Sequence, residues 1–150
     1  MLFGKKKRRI CRLLIVEDEP LVAFDTEHFL RDEEFEIVAT VDRVADAMEA
    51  IRRSGDGGID GAAGIDLMLV DVSLADGSGI DVARAAHGAG IPVMFVTGSC
   101  PVGASEVSVG CLSKPYAQRS LLSAIDAIEQ LMDGKAPKRL PSGFRLFAAG

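Results

Sequence analysis

Five polar residues that close apolar runs carry the chemistry this sequence could perform. Glu17 and Asp18 follow Leu13-Leu14-Ile15-Val16, and Asp71 follows Leu67-Met68-Leu69-Val70. Thr97 follows Val93-Met94-Phe95-Val96, and Lys114 follows Val109-Gly110-Cys111-Leu112-Ser113. Carboxylates converging at one edge repel each other unless a cation sits between them. Oxygen-only ligands favour a hard ion such as Mg2+, which keeps several waters. With its charge offset in that way, the Asp71 carboxylate can attack phosphorus. Thr97 offers a hydroxyl donor to a phosphoryl oxygen, and Lys114 offers a compact cation. No general base stands out beside them. An acyl phosphate formed at Asp71 is therefore expected to hydrolyse slowly, which suits a signal and not a turnover enzyme.

Taken singly, each of these residues has a plainer role. Glu17-Asp18-Glu19 can be the acidic start of a helix, favourable against its dipole. Asp71 can be a turn residue, Thr97-Gly98 an ordinary turn and Lys114 an exposed lysine. His28 and His87 read as surface positions and not as ligands. Joint placement separates the chemical reading from these, so the elements that position the residues decide the matter.

Arg12–Val16 is a short apolar run ending in acids, as expected of a strand buried on both faces. Pro20 opens a helical segment to Asp32, proline being tolerated in a first turn. Glu36–Val41 reads as a second strand, after which Asp42 can cap a helix carrying Val44, Ala47, Met48 and Ile51 on one face. Ser54 to Gly64 holds five glycines and reads as a loop. A third strand ends at Asp71, and a helix follows from Gly79 to His87. A fourth strand ends at Thr97, and Val109–Ser113 forms a fifth. Gln118 to Met132 is a strong last helix, with Leu121, Leu122, Ile125, Ile128 and Met132 on one face. Strands separated by single helices imply a parallel sheet with right-handed crossovers and helices on both faces. In such sheets the site lies beyond the C-terminal strand ends, where all five residues fall.

The chain of 150 residues is 48% hydrophobic and 26% charged, enough apolar content for one packed domain and too much for a disordered one. No apolar run approaches the length of a membrane span, and the basic start leads into acids without a signal-peptide cleavage site. Cys11, Cys100 and Cys111 lack C-x-x-C spacing, which argues against a disulfide framework or a zinc site; a cytoplasmic location is expected. Charge is uneven. Residues 1–12 carry six basic groups and no acid, whereas 13–134 carry seven against all 22 acids. Without aromatics among its charges or a groove-reading helix downstream, the arm reads as a solvated leader and not as a nucleic-acid binder. The expected organisation is a basic leader over 1–11, a domain over 12–134 and a tail over 135–150, whose Phe144 and Phe147 are candidates for docking.

Leu14-Ile15-Val16-Glu17-Asp18-Glu19-Pro20, Leu69-Val70-Asp71-Val72-Ser73-Leu74, Val96-Thr97-Gly98 and Ser113-Lys114-Pro115 together resemble the CheY-like receiver domain of two-component response regulators. The resemblance covers about Arg12 to Met132. It implies a flavodoxin-like, doubly wound α/β fold with a five-stranded parallel sheet of order 2-1-3-4-5. It implies phosphorelay signalling, with a 4-aspartylphosphate formed at Asp71 by a sensor histidine kinase or histidine phosphotransferase. Glu17, Asp18, Asp71 and the backbone carbonyl of Ser73 would hold Mg2+, Thr97 and Lys114 would bind the phosphoryl group, and the Lys114–Pro115 bond would be cis. Output would pass to an unidentified downstream protein from a stand-alone receiver, or the domain would act as a phosphate sink.

Departures from that pattern matter as much. Only sixteen residues separate Thr97 from Lys114, too few for a full strand–helix–strand crossover. The fourth helix is therefore expected to be shortened or absent, leaving an irregular, mobile segment. Phe95-Val96-Thr97-Gly98 in that setting resembles an alphaproteobacterial single-domain subfamily with a Phe-Ala-Thr-Gly-small-Tyr motif. Cys100 replaces the aromatic of that motif, and Cys111 replaces the usual switch aromatic of the fifth strand. An order–disorder change of residues 98–110, biased by Thr97 bonding the phosphoryl group, is the expected substitute. Two other functions compete. A haloacid-dehalogenase-like phosphatase needs a second acid two residues after the nucleophile, where this chain has Ser73. A phosphate-independent binding module would use the basic N-terminal arm.

Overall fold

The structure, a computed structural model, describes residues 8–55 and 64–147. β1 (Arg12–Val16), β2 (Glu36–Val41), β3 (Leu67–Val70), β6 (Val93–Thr97) and β7 (Gly110–Ser113) form a parallel sheet. Its full order is β2-β1-β3-β6-β7-β8, which is the 2-1-3-4-5 arrangement with one strand, β8 (Phe144–Leu146), added. The short apolar runs fold this way because side chains alternate between two helical layers. Leu13, Ile15, Leu67, Leu69, Met94, Val96 and Leu112 pack on α1 (Pro20–Asp32) and α5 (Gln118–Met132). Leu14, Val16, Met68, Val70, Val93, Phe95 and Cys111 pack on α2 (Val44–Gly55) and α3 (Gly79–Gly88). Each fully buried large side chain contributes about 1.5–3 kcal/mol, so β1 and β3 are held from both sides.

Between β3 and α3 lies a miniature antiparallel hairpin, β4 (Ser73–Leu74) with β5 (Gly77–Ser78). Ser78 caps α3 by accepting from the Ile80 N–H at 3.1 Å. Asp76, in the hairpin turn, accepts from the Val44 and Ala45 N–H groups at 2.6 and 3.2 Å. The start of α2 is therefore served by Asp76 and not by the expected Asp42. A long-range carboxylate reaches amides that a residue beside the helix leaves unpaired. α2 runs through Ser54 to Gly55, which shortens the expected loop; its remainder, 56–63, lies outside the described residues.

The tail docks on the domain through its two candidate phenylalanines: β8 pairs antiparallel with β7 and buries Phe144 in the α1–α5 layer, while Phe147 packs against the other layer. It covers an edge strand that would otherwise present unpaired amides. Two further expectations change. Residues 8–11 are not a solvated leader. Ile10 is fully buried, Arg8 pairs with Asp126 at 2.8 Å, and Arg9 pairs with Asp133 at 2.7 Å. The lysines of the leader lie outside the described residues. Finally, Cys100 and Cys111 form a disulfide while Cys11 is free and exposed. Sequence spacing misses this pair because the loop after β6 turns back over β7 and brings the two together, with no local motif to mark it. As the residue count between Thr97 and Lys114 required, α4 is a single turn, Ala104–Val107.

Candidate functional site

The parallel ladder continues one residue past the strands. The Glu17 N–H donates to the Val41 carbonyl at 2.9 Å, Asp71 to Val16 at 2.9 Å and Lys114 to Thr97 at 2.8 Å. These bonds fix three backbones side by side at the C-terminal edge, whatever their side chains prefer. Lys114 Nζ then donates to Glu17 Oε1 at 2.7 Å and Asp71 Oδ2 at 3.0 Å, and reaches Glu19 Oε2 at 3.5 Å. Glu17, Asp71 and Thr97 are 6%, 7% and 6% exposed. The other Glu17 oxygen accepts the Glu19 N–H at 3.1 Å, and the Ser73 N–H points to Asp71 Oδ1 at 3.4 Å. The Lys114–Pro115 bond is cis.

Burial is the largest influence on Glu17 and pushes its carboxyl above the usual carboxylate range. The Lys114 bond pulls the other way, and Asp71 adds like-charge repulsion. Burial also works against the Lys114 charge. Its bonds to Glu17 and Asp71 outweigh that cost, so the ammonium is held above its ordinary value. Lys114 is a fixed cation aimed at Asp71.

Carboxylate oxygens of Glu17, Glu19 and Asp71 lie within 4.8 Å of one another. Three hard oxygen donors against a single ammonium suit a divalent cation of the Mg2+ type. Glu19, read in the sequence only as part of an acidic helix start, is the member that reasoning missed; its place in the Glu17-Asp18-Glu19 run was the available signal. Asp18 is half-buried and not among the converging three, while Thr97 stands one strand over, tied to Lys114 through the backbone. Gly79 also went unnoticed. Its N–H donates to the Val72 carbonyl at 2.7 Å, and a Cβ there would overlap the Asp71 carbonyl oxygen. Only glycine lets α3 start this close to the Asp71 backbone.

Acids, a hydroxyl and a fixed lysine at the C-terminal edge of a doubly wound sheet define a domain of the receiver class. Residues 13–126 match the family profile of the response regulator receiver domain, and the chain belongs to that family. It is 32% identical over 122 residues to the sensory transduction protein RegX3 of Mycobacterium tuberculosis, covering 77% of this chain and 49% of that one. It is 27% identical over 141 residues to the cell cycle transcriptional regulator CtrA of Caulobacter vibrioides, covering 88% of this chain and 56% of that one. The chain thus spans about half the length of these curated relatives. Similar solved structures include a CheY-like receiver from Methanospirillum hungatei, with TM-score 0.67, 23% identity, and coverage of 83% of this chain and 98% of that chain. Another is TrrA from Thermotoga maritima in complex with Mg2+ and BeF, with TM-score 0.63, 19% identity, and coverage of 77% and 96%. At these identities the two structures show the fold. Receiver domains bind Mg2+ at an acidic pocket of this kind and interact with histidine kinases or phosphotransferases. Among the described residues, no helix is long and apolar enough to cross a membrane.

Proposed function

We propose that the chain accepts a phosphoryl group on Asp71 from a phosphohistidine donor in a two-component phosphorelay. The observation that carries this is the pairing of one lysine ammonium with both Glu17 and Asp71 at the sheet edge. Asp71 Oδ1, the oxygen that Lys114 does not hold, attacks phosphorus, the P–N bond to the donor imidazole breaks, and the imidazole leaves to take up a proton. The product is an aspartyl phosphate. Lys114 follows the developing charge onto a phosphoryl oxygen, and the Thr97 hydroxyl donates to another. Glu17, Asp18, Glu19, Asp71 and the Ser73 carbonyl are the groups from which a Mg2+ shell would be drawn, and the ion would offset phosphoryl charge. Leu21 and Phe24, 79% and 57% exposed on α1, supply an apolar surface beside the site for the donor's helix.

Output passes through phosphorylation-dependent contacts with a downstream protein, or the domain drains phosphate from another regulator. The competing arm-driven binding module gains nothing from Arg8 and Arg9, which are paired with Asp126 and Asp133. Incubation with acetyl phosphate, with Mg2+ present or chelated, followed by intact-mass measurement tests the reading. One phosphoryl adduct is expected, abolished in Asp71→Asn and suppressed by chelator. An adduct that persists in Asp71→Asn sinks it.

A further inference from the structure

We propose that Cys100 and Cys111 are a reversible dithiol–disulfide site that pins or releases the segment joining Thr97 to Lys114. Their Cα atoms are 6.2 Å apart, inside the range that a bridge spans without backbone movement. Cys100 lies three residues after Thr97, and Cys111 lies three residues before Lys114. The bond therefore closes off the whole of α4 at the feet of Thr97 and Lys114, the latter bonded to Asp71.

Little else holds that segment. α4 is four residues long, too short to be stable by its own hydrogen bonds. Among residues 101–109 only Ala104 is buried, and Val102 stands fully in solvent. The segment's internal bonds are local: Ala104 N–H to the Pro101 carbonyl at 3.2 Å, and Ser108 N–H to the Ala104 carbonyl at 3.0 Å. Besides the covalent tie, the segment is anchored at long range by Ala104, buried in the α2–α3 layer, and by Val107 packed against it.

Access is one-sided. Cys111 is fully buried opposite Phe95, whereas Cys100 is half-buried in the loop. A thiolate of a dithiol reductant attacks the Cys100 sulfur, the Cys100–Cys111 bond breaks, and Cys111 leaves as a thiolate that takes a proton in its apolar layer. The reductant's second thiol attacks the mixed disulfide, releasing Cys100 as a thiol and leaving the reductant as a disulfide. Two electrons and two protons pass to the pair, and the reverse sequence restores the bond. That this state sets how far Thr97 responds to a phosphoryl group rests on the function proposed above.

The test uses the full chain equilibrated in reduced and oxidised dithiothreitol mixtures, acid-trapped, unfolded and alkylated before intact-mass measurement. One alkyl group, on Cys11, is expected at the oxidised end and three at the reduced end. Three at every mixture overturns the proposal. Hydrogen exchange in residues 101–110 is expected to be about tenfold faster in the reduced chain, with α5 unchanged. Cys100→Ser, a substitution outside the core, is expected to exchange fast in both buffers. Equal exchange of 101–110 in the oxidised and reduced chain overturns the pinning. Acetyl phosphate labelling run in parallel separates the two readings. No adduct in either redox state defeats the phosphoryl function and leaves the thiol result standing. Adducts of equal yield and lifetime in both states defeat the coupling alone.

Discussion

The two halves of the sheet position their share of the site by different means. On the side of β2, β1 and β3, crossovers run through α1, α2 and α3, of 13, 12 and 10 residues. β1 and β3 are packed on both faces, and Glu17 and Asp71 inherit their positions from that packing. On the side of β6 and β7, the crossover has a four-residue helix, a disulfide and the edge strand β8. Helix burial sets the acids; a covalent tie and a borrowed strand set the surroundings of Thr97 and Lys114. The half that must hold carboxylates together against repulsion is the one built on layered apolar contacts. In the half that must respond to a new ligand the strands β6 and β7 are just as buried, but the segment that joins them is held by few such contacts.

Two glycines offer the sharpest way to break that contrast. At Gly79 an added Cβ meets the Asp71 carbonyl oxygen and lies 2.9 Å from Val70 Cγ1, both fixed by the sheet. Gly79→Ala is expected to cost about 1–3 kcal/mol in urea unfolding, as overpacking does. It is also expected to slow acetyl phosphate labelling of Asp71 at least about tenfold, since about 1.4 kcal/mol of misplacement in the transition state is a factor of ten. At Gly110 the added Cβ meets the Phe144 ring at 2.8 Å and the Arg145 carbonyl oxygen at 3.0 Å, both on the edge strand β8, which pairs with β7 alone. Gly110→Ala is expected to cost about 1 kcal/mol, to raise exchange in residues 144–146 and to leave Asp71 labelling within about twofold. Similar losses of labelling in the two variants would erase the distinction between the halves.

How much of this was legible follows the same division. The acid-ended run Arg12–Val16, the helix from Pro20 to Asp32 and the helix from Gln118 to Met132 carry strong local patterns, and the observed elements have those bounds. The shortened fourth helix was legible by subtraction, from the few residues left between Thr97 and Lys114. What escaped depends on distant partners. Phe144–Leu146 is too short to show alternation and becomes a strand only because β7 offers an edge. Asp76 reads as a turn residue until the fold brings it to the start of α2. Cys100 and Cys111 carry no spacing signal, since their meeting depends on the loop after β6 turning back over β7, whose register sets Cys111 opposite Phe95. Within the site, Glu17, Asp71 and Lys114 were legible as strand ends, while Glu19 needed the turn into α1 to be seen folded over them.

The smallest expected effect concerns a polar tie inside the well-packed half. The Thr40 hydroxyl on β2 donates to Glu27 Oε1 on α1 at 2.7 Å, and Arg31 Nε donates to the other oxygen at 2.9 Å. The Thr40 bond first, then Arg31, holds the Glu27 carboxyl below its ordinary range. A carboxyl depressed in the fold contributes stability that is complete above its unfolded value and is lost as pH falls through its folded one. Thr40→Val keeps the β-branched shape that suits a strand and removes only the donor. It is expected to cost about 1 kcal/mol at neutral pH, a margin that closes on acidification as wild type and variant both bind the proton. Urea midpoints measured across the carboxylate range check this. Exchange in α1 is expected to stay unchanged, because Ala23 and Leu30 keep the helix on the sheet without the bond. A hydrogen bond removed here should be absorbed by the packing around it, whereas the bond between Cys100 and Cys111 has little packing to fall back on. If Thr40→Val frees α1 as readily as reduction frees residues 101–110, burial is not what distinguishes the two halves.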